Sequence, residues 1–198
     1  MPFLHDYLPS TPPSASPMTK LRLDQTRCPQ CPGKACGSKI VFGEGPDDAV
    51  LMVVGETPGF YEDQQGVPFV GKPGQLLRKI IVAARIKKSE VFMTNAVSCR
   101  SPENAQPTPV QIESCAPKLR AKIAVVKPRL IVCVGAIAAR SLLNIKKELK
   151  VMRQEEYSYN GIPVLVTTHP SRLLHRPSEK EGAFRDWVAI RKRLRAVV

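Results

Sequence analysis

Four short apolar runs govern what this chain can become. Ala49 to Val54 (AVLMVV), Val91 to Asn95 (VFMTN), Leu130 to Val134 (LIVCV) and Val164 to Thr168 (VLVTT) are short for helices, and the first and third are continuously apolar. Runs of this kind, bounded by turn-forming residues, predict strands buried on both faces. The segments between them are helical in pattern. Gly74 to Arg85 places Leu76, Leu77, Ile80, Ile81 and Ala84 at helical spacing. Pro109 to Val126 follows Thr108, an N-cap, with Pro109 in the first turn and Gln111 at the capping-box position. Ala136 to Leu143 reads as a short helix, and Ala183 to Val197 as an amphipathic one. Strands alternating with helices predict an α/β fold, a central four-stranded parallel sheet covered by helices on both faces.

The chain has 198 residues, of which 43% are hydrophobic, enough for one packed core of about 150 residues or more. Residues 1–20 stand apart, with five prolines among several Ser and Thr. They read as a flexible tail ahead of one domain over residues 21–198. Met18 offers a second start position. No internal repeat is visible. No run of about 18 apolar residues marks a membrane span, and no charged-then-apolar leader marks a secretory signal. A cytoplasmic, nucleoid-associated monomer is expected. Lys and Arg number 30 against 17 Asp and Glu, a net charge of +13. Such a charge predicts a polyanionic partner, most often nucleic acid.

In parallel sheets, ligands bind outside the carboxyl ends of the strands. The first run ends in Gly55-Glu56-Thr57-Pro58-Gly59, the second in Thr94-Asn95, the third in Gly135-Ala136 and the fourth in Thr168-His169-Pro170-Ser171. A carboxylate, an amide and an imidazole at three ends of one sheet point to a site. Cysteines stand at 28, 31, 36, 99, 115 and 133. A chain without an export signal is a poor candidate for a disulfide scaffold, and clustered cysteines then suggest metal. Cys28 and Cys31 form C-x-x-C, and with Cys99 and Cys115 they make four thiolates, which either zinc or an iron–sulfur cluster satisfies. Cys133, inside an apolar run, reads as a core residue. Cys36 is either a spare thiol or a substitute ligand for Cys31.

Several motifs in order carry a resemblance. Gly55-Glu56-Thr57-Pro58-Gly59, Glu62-Asp63, Gly66, Pro68-Phe69-Val70-Gly71, Gly74 and Leu76-Leu77 form the first block. Thr94-Asn95 with Cys99-Arg100 follows, then Pro107-Thr108-Pro109, Ile112, Cys115 and Pro128-Arg129, and last His169-Pro170-Ser171 with Leu173-Leu174. Over residues 28–195 the chain resembles the family 4 uracil-DNA glycosylases. The resemblance implies a three-layer α/β/α sandwich and a [4Fe–4S] cluster on Cys28, Cys31, Cys99 and Cys115. Two departures stand out. Thr57 occupies a position that is usually Ala or Gly in that family. A related branch bonds covalently to DNA through a His in a basic insert after the second strand. Residues 99–104 here (CRSPEN) contain neither, although Val41 to Gly45 (VFGEG) is similar to that branch.

The implied reaction is hydrolysis of the glycosidic bond of uracil in single- or double-stranded DNA, leaving an abasic site in base-excision repair. The resemblance assigns Phe69 to stacking on the base, with Gly55 and Thr57 beside the pocket. Asn95 suits the uracil edge, because its amide both donates and accepts. His169 suits the oxygen that gains charge as the base departs. Glu56 is the candidate to polarise water or stabilise the sugar cation. Glu62 and Asp63 either share that task or pin the loop by accepting backbone N–H bonds. Gly71 and Gly74, at a helix start, are expected to meet phosphate, with Leu173 or Leu174 pushed toward the vacated stack and Ser171, Arg100, Arg172, His175 and Arg176 along the DNA backbone. Lys72 has no nucleophilic role in the resemblance, which implies a monofunctional enzyme. The alternative is a non-catalytic or altered-specificity nucleic-acid-binding module, such as similar domains linked to phage polymerases.

Overall fold

The computed structural model describes residues 16–26, 28, 31 and 38–198. Cys36 and residues 1–15 of the expected tail lie outside them. The strands are β1 (Leu51–Gly55), β2 (Val91–Asn95), β3 (Leu130–Val134), β4 (Tyr157–Tyr159) and β5 (Ile162–Thr167). The helices are α1 (Pro17–Thr26), α2 (Phe60–Gln65), α3 (Lys72–Ala83), α4 (Pro109–Val126), α5 (Ala136–Leu143), α6 (Leu149–Met152), α7 (Pro170–His175) and α8 (Lys180–Val197). Helix α1 crosses the boundary expected at residue 20, and its Met18 is buried in the core.

The central sheet differs from the four-stranded parallel sheet expected. It has five strands in the order β2-β1-β3-β5-β4, and β4 runs antiparallel to β5. The cause is local. Asn160 (φ 50°) and Gly161 (φ 81°) join Tyr159 to Ile162. Two positive-φ residues make the tight turn whose twist suits an antiparallel hairpin. A parallel return needs a crossover of a dozen or more residues.

Every residue of β1, β2 and β3 is buried, Thr94 and Asn95 of β2 included. Alternate side chains feed two apolar layers. Met52, Val54, Ile131 and Cys133 meet α1, α4, α5 and α6 on one face. Leu51, Val53, Leu130 and Val132 meet α3, α7 and α8 on the other, around Leu77, Trp187 and Ile190. Strand β1 pairs with β2 on one side and β3 on the other, so the chain reverses its direction of travel across the sheet at β1. The carboxyl ends beside such a reversal splay apart and leave a crevice. Among the described residues, no helix is long and apolar enough to cross a membrane.

Helix α4 has the expected cap. Gln111 N–H donates to Thr108 Oγ1 (3.3 Å), and Thr108 N–H donates to Gln111 Oε1 (2.7 Å). Thr108→Ala removes one of these bonds, and a loss of about 1 kcal/mol of stability is expected. Urea unfolding monitored by circular dichroism measures it; an unchanged midpoint would show that the cap contributes nothing.

Candidate active site

Beyond the carboxyl edge of the sheet lies a cleft of about 460 Å³, within the ~300–1,000 Å³ typical of small-molecule sites. Glu56 and Thr57 enter it from the end of β1, Asn95 from β2 and His169 from the end of β5. Phe69 joins them from the loop between α2 and α3. Residues far apart in the chain therefore meet in the crevice that the strand order creates.

Phe69 is buried and has a left-handed backbone, φ 57°. A bulky residue adopts that conformation only when its surroundings impose it. Arg78 imposes it: Nε donates to the Phe69 carbonyl (3.0 Å), and Nη2 donates to the Pro68 carbonyl (2.9 Å) and pairs with Glu44 (2.5 Å). Gly74 lies so close that a Cβ on it would stand 2.2 Å from the Phe69 carbonyl carbon. At Gly55 a Cβ would fall 2.4 Å from Asn95 Oδ1 and 2.6 Å from Phe69 Cζ. The two glycines thus let the ring and the amide approach the β1 backbone.

Asn95 is buried and stands beside Gly55 in register. The pairing of these strands continues past their ends, Ala96 N–H donating to the Gly55 carbonyl (2.9 Å) and Val97 N–H to that of Glu56 (3.0 Å). Behind it, Thr94 Oγ1 donates to the Phe42 carbonyl (2.9 Å) and accepts from Lys122 Nζ (3.1 Å). Lys122 also reaches Ser98 Oγ (3.3 Å) and lies over the Phe42 ring, 4.9 Å from its centroid. Its burial lowers its pKa to about 7.

His169 caps α7. Its Nδ1 accepts from Ser171 N–H (3.3 Å) and lies 2.6 Å from Ser171 Oγ. A backbone N–H can only donate, so the proton of the neutral ring resides on Nε2. Burial lowers the His169 pKa to about 4, against an opposing pull from Glu62. The ring is therefore neutral at ordinary pH. Glu56 is half-buried, and burial raises its pKa above the usual carboxylate range.

Glu62 and Asp63 act as clamps. Glu62 accepts from Gly59 N–H (3.1 Å) and Gly71 N–H (2.8 Å). Asp63 accepts from Lys39 N–H (2.7 Å). Gly71 and Gly74, expected to meet phosphate, line the cleft; both are buried, the Gly71 amide donates to Glu62, and Gly74 makes room for Phe69. Leu173 is corrected: it is 1% exposed in the core, whereas Leu174 is 40% exposed. Arg172 forms an ion pair with Glu179 (2.6 Å) outside the cleft, and Ser171 supports His169. Arg78 and Lys122 went unnoticed in the sequence. The Gly74/Arg78 spacing, one helical turn, was the available signal for the first; nothing in the local sequence marks the second.

Cys28, Cys31, Cys99 and Cys115 line one small recess with Lys118, which hydrogen-bonds Cys28 Sγ. Among the described residues, no three His, Cys, Asp or Glu side chains stand at metal-bonding geometry. Four cysteines border this one recess, and thiolate is the donor that an iron–sulfur cluster or a zinc ion takes.

The fold and cleft define a class, which comparison with known proteins identifies. The uracil DNA glycosylase superfamily model matches residues 42–190, and the chain belongs to that superfamily. Within it the chain groups with the type-4 enzymes. It is 35% identical to the type-4 uracil-DNA glycosylase of Pyrobaculum aerophilum, over 76% of this chain and 81% of that one. It is 36% identical to that of Thermotoga maritima, over 78% and 81%. It is also 29% identical to a DNA polymerase of Bacillus phage SP01, over 77% of this chain but 17% of the polymerase.

The packing at Gly74 generates a prediction. Gly74→Ala must displace the Phe69 backbone, so folded protein with impaired ligand binding in the cleft is expected. A heteronuclear NMR comparison would place the shifts at Phe69, Asn95 and Gly55; an unperturbed Phe69 amide would refute the close approach.

Proposed function

We propose that this protein hydrolyses the N-glycosidic bond of uracil in DNA, leaving an abasic site as the first step of base-excision repair. The observation that carries the proposal is the convergence of Asn95, Phe69, Glu56 and a neutral His169 in one cleft. A stacked base hides its glycosidic bond, so the nucleotide must enter extruded. The Phe69 ring offers the base a flat apolar face. Uracil presents N3–H beside O4, and one Asn95 amide pairs with both. Cytosine inverts that pattern, and each buried polar group left unpaired costs about 1–3 kcal/mol.

As the C1′–N1 bond breaks, its electron pair leaves with uracil and charge gathers on O2. His169 Nε2–H is the donor for that charge, present without proton uptake. Water adds to C1′ of the oxocarbenium-like sugar and loses a proton, with Glu56 as the carboxylate that polarises it or steadies the cation. His169→Ala and Asn95→Ala should each slow excision by about 10²–10³-fold while the melting temperature stays near that of the parent. Full activity in either folded variant would remove that residue from the mechanism.

The pH dependence follows from the shifts. Glu56 must be ionised, so the rate should fall as pH drops through its raised pKa, placing the acid limb above the usual carboxylate range. His169, at about 4, remains neutral through that limb. Rate–pH profiles should lose the limb in Glu56→Gln and keep it in His169→Asn; a limb unchanged in Glu56→Gln would assign it elsewhere.

A [4Fe–4S] cluster on Cys28, Cys31, Cys99 and Cys115 belongs to the same proposal, supported by the four thiols at one recess. When bound, such a cluster cross-links the N-terminal segment to the segment after β2. Cys99→Ala should give colourless protein in lower folded yield, with turnover per folded molecule largely kept. A folded, colourless, inactive variant would argue for a direct catalytic role.

The match to part of a phage DNA polymerase, together with Thr57 in the cleft, favours a second reading, a DNA-binding module without excision. Incubation with a labelled uracil-containing single strand, followed by alkali, separates the two. Strand cleavage supports excision, and bound but intact DNA supports the module.

A further inference from the structure

At the rim of the cleft, α2 opens with two adjacent aromatic residues. Phe60 is 49% exposed and Tyr61 57% exposed, and both line the cleft. Their ring centroids are 5.5 Å apart and the planes stand at 83°. Neither ring belongs to the two apolar layers of the core. Packing therefore does not account for placing two large apolar faces in water next to each other.

The surroundings are suited to an anionic strand. The Arg100 guanidinium lies 5.2 Å from the Phe60 centroid, and its Nε donates to Asn104 Oδ1 (2.8 Å), another residue of the cleft rim. Lys72 borders the same opening. Aromatic faces interleaved with cations are what unpaired nucleotides bind: bases stack on the rings, and the cations meet the phosphates.

We propose that Phe60 and Tyr61 form a stacking platform for an unpaired base flanking the nucleotide held in the cleft, and that they favour single-stranded DNA over duplex. The inference rests on the glycosylase function proposed above, since the cleft must hold a nucleotide of that strand. In a duplex, neighbouring bases are already stacked on one another and have no free face to offer. In a single strand, the platform supplies the stacking partner that is missing.

The test uses the intact protein and a fluorescein-labelled oligonucleotide containing 2′-fluoro-2′-deoxyuridine, a uracil nucleotide that resists excision. Affinity is read by anisotropy for the single strand and for the same strand in duplex. Phe60→Ala/Tyr61→Ala should weaken single-strand binding by about 10-fold or more, the size of one base–aromatic stack, with duplex binding changed less than about threefold. Phe60→Leu/Tyr61→Leu retains apolar bulk without a π face and guards against misfolding. It should resemble the alanine pair, and Phe60→Trp/Tyr61→Trp should restore affinity. Equal losses on both substrates, full affinity in the leucine pair, or no loss at all would overturn the platform. Uracil excision by the parent protein, measured in parallel, keeps the two failures apart. Excision without strand-selective loss in the variants sinks the platform alone. Strand-selective loss without excision sinks the glycosylase reading alone.

Discussion

Phe69 holds a backbone conformation that costs a side-chain-bearing residue roughly 1–2 kcal/mol, and the cleft is built around that residue. Its φ of 57° turns the chain between α2 and α3 so that the ring reaches Gly55 at the end of β1. Three residues on two helices share the constraint. Arg78 from α3 binds the carbonyls of Pro68 and Phe69, Gly74 accepts the Phe69 backbone against its α-carbon, and Glu62 ties Gly59 to Gly71 across the loop. Charge-assisted hydrogen bonds of this kind contribute about 1.5–3 kcal/mol each, enough to offset the strain. The motif glycines and the acidic residue beside them are thus parts of one scaffold, which fixes an aromatic face at the floor of the cleft.

Electrostatics divides the work between surface and interior. The net charge of +13 acts at long range on any polyanion and has little power to choose among bases. The cleft is lined by groups whose charge burial disfavours. His169 is kept neutral with its proton on the nitrogen that Ser171 leaves free, and Glu56 is held less acidic than in water. A charged imidazole at this depth would carry a desolvation penalty in every state, whereas a neutral donor strengthens only as charge develops opposite it.

Much of this was legible in the sequence because its signals are local. Short, mostly apolar runs located the three fully buried strands, and Thr108-Pro109 with Gln111 located the start of α4 to the residue. Glycine, Asn95 and His169 at strand ends located the cleft, since parallel strands deliver their carboxyl ends to one edge. The fifth strand was also written there, as alternating tyrosines before Asn160-Gly161, but three residues give little periodicity against a longer buried run. Distance in the chain hid the rest. Which of Leu173 and Leu174 faces outward depends on how α7 meets α3. That Gly74 makes room for Phe69 depends on a contact between a helix and the loop before it. Lys122 reads as one more basic residue of a basic chain until its amine is found buried between Thr94 and Ser98.

That lysine also bears on how the cysteine recess relates to the cleft. Residues 94–98 join the two, and protein contacts pin the stretch along its length. Lys122 holds Thr94 and Ser98, Val97 bonds to the Glu56 carbonyl, and the Ser98 carbonyl accepts from Val41 N–H (2.8 Å). None of these bonds needs the sulfurs. Asn95 is therefore placed by the sheet and by Lys122, and Cys99 lies one residue beyond the pinned stretch. A group held by the four sulfurs would connect residues 28 and 31 to residues 99 and 115, closing long loops of chain. Loop closure acts through the entropy of the unfolded ensemble. A group bound at the recess would consequently shift the balance between folded and unfolded chain, while the placing of Asn95 in the folded chain stays with bonds already made on the other side of Ser98.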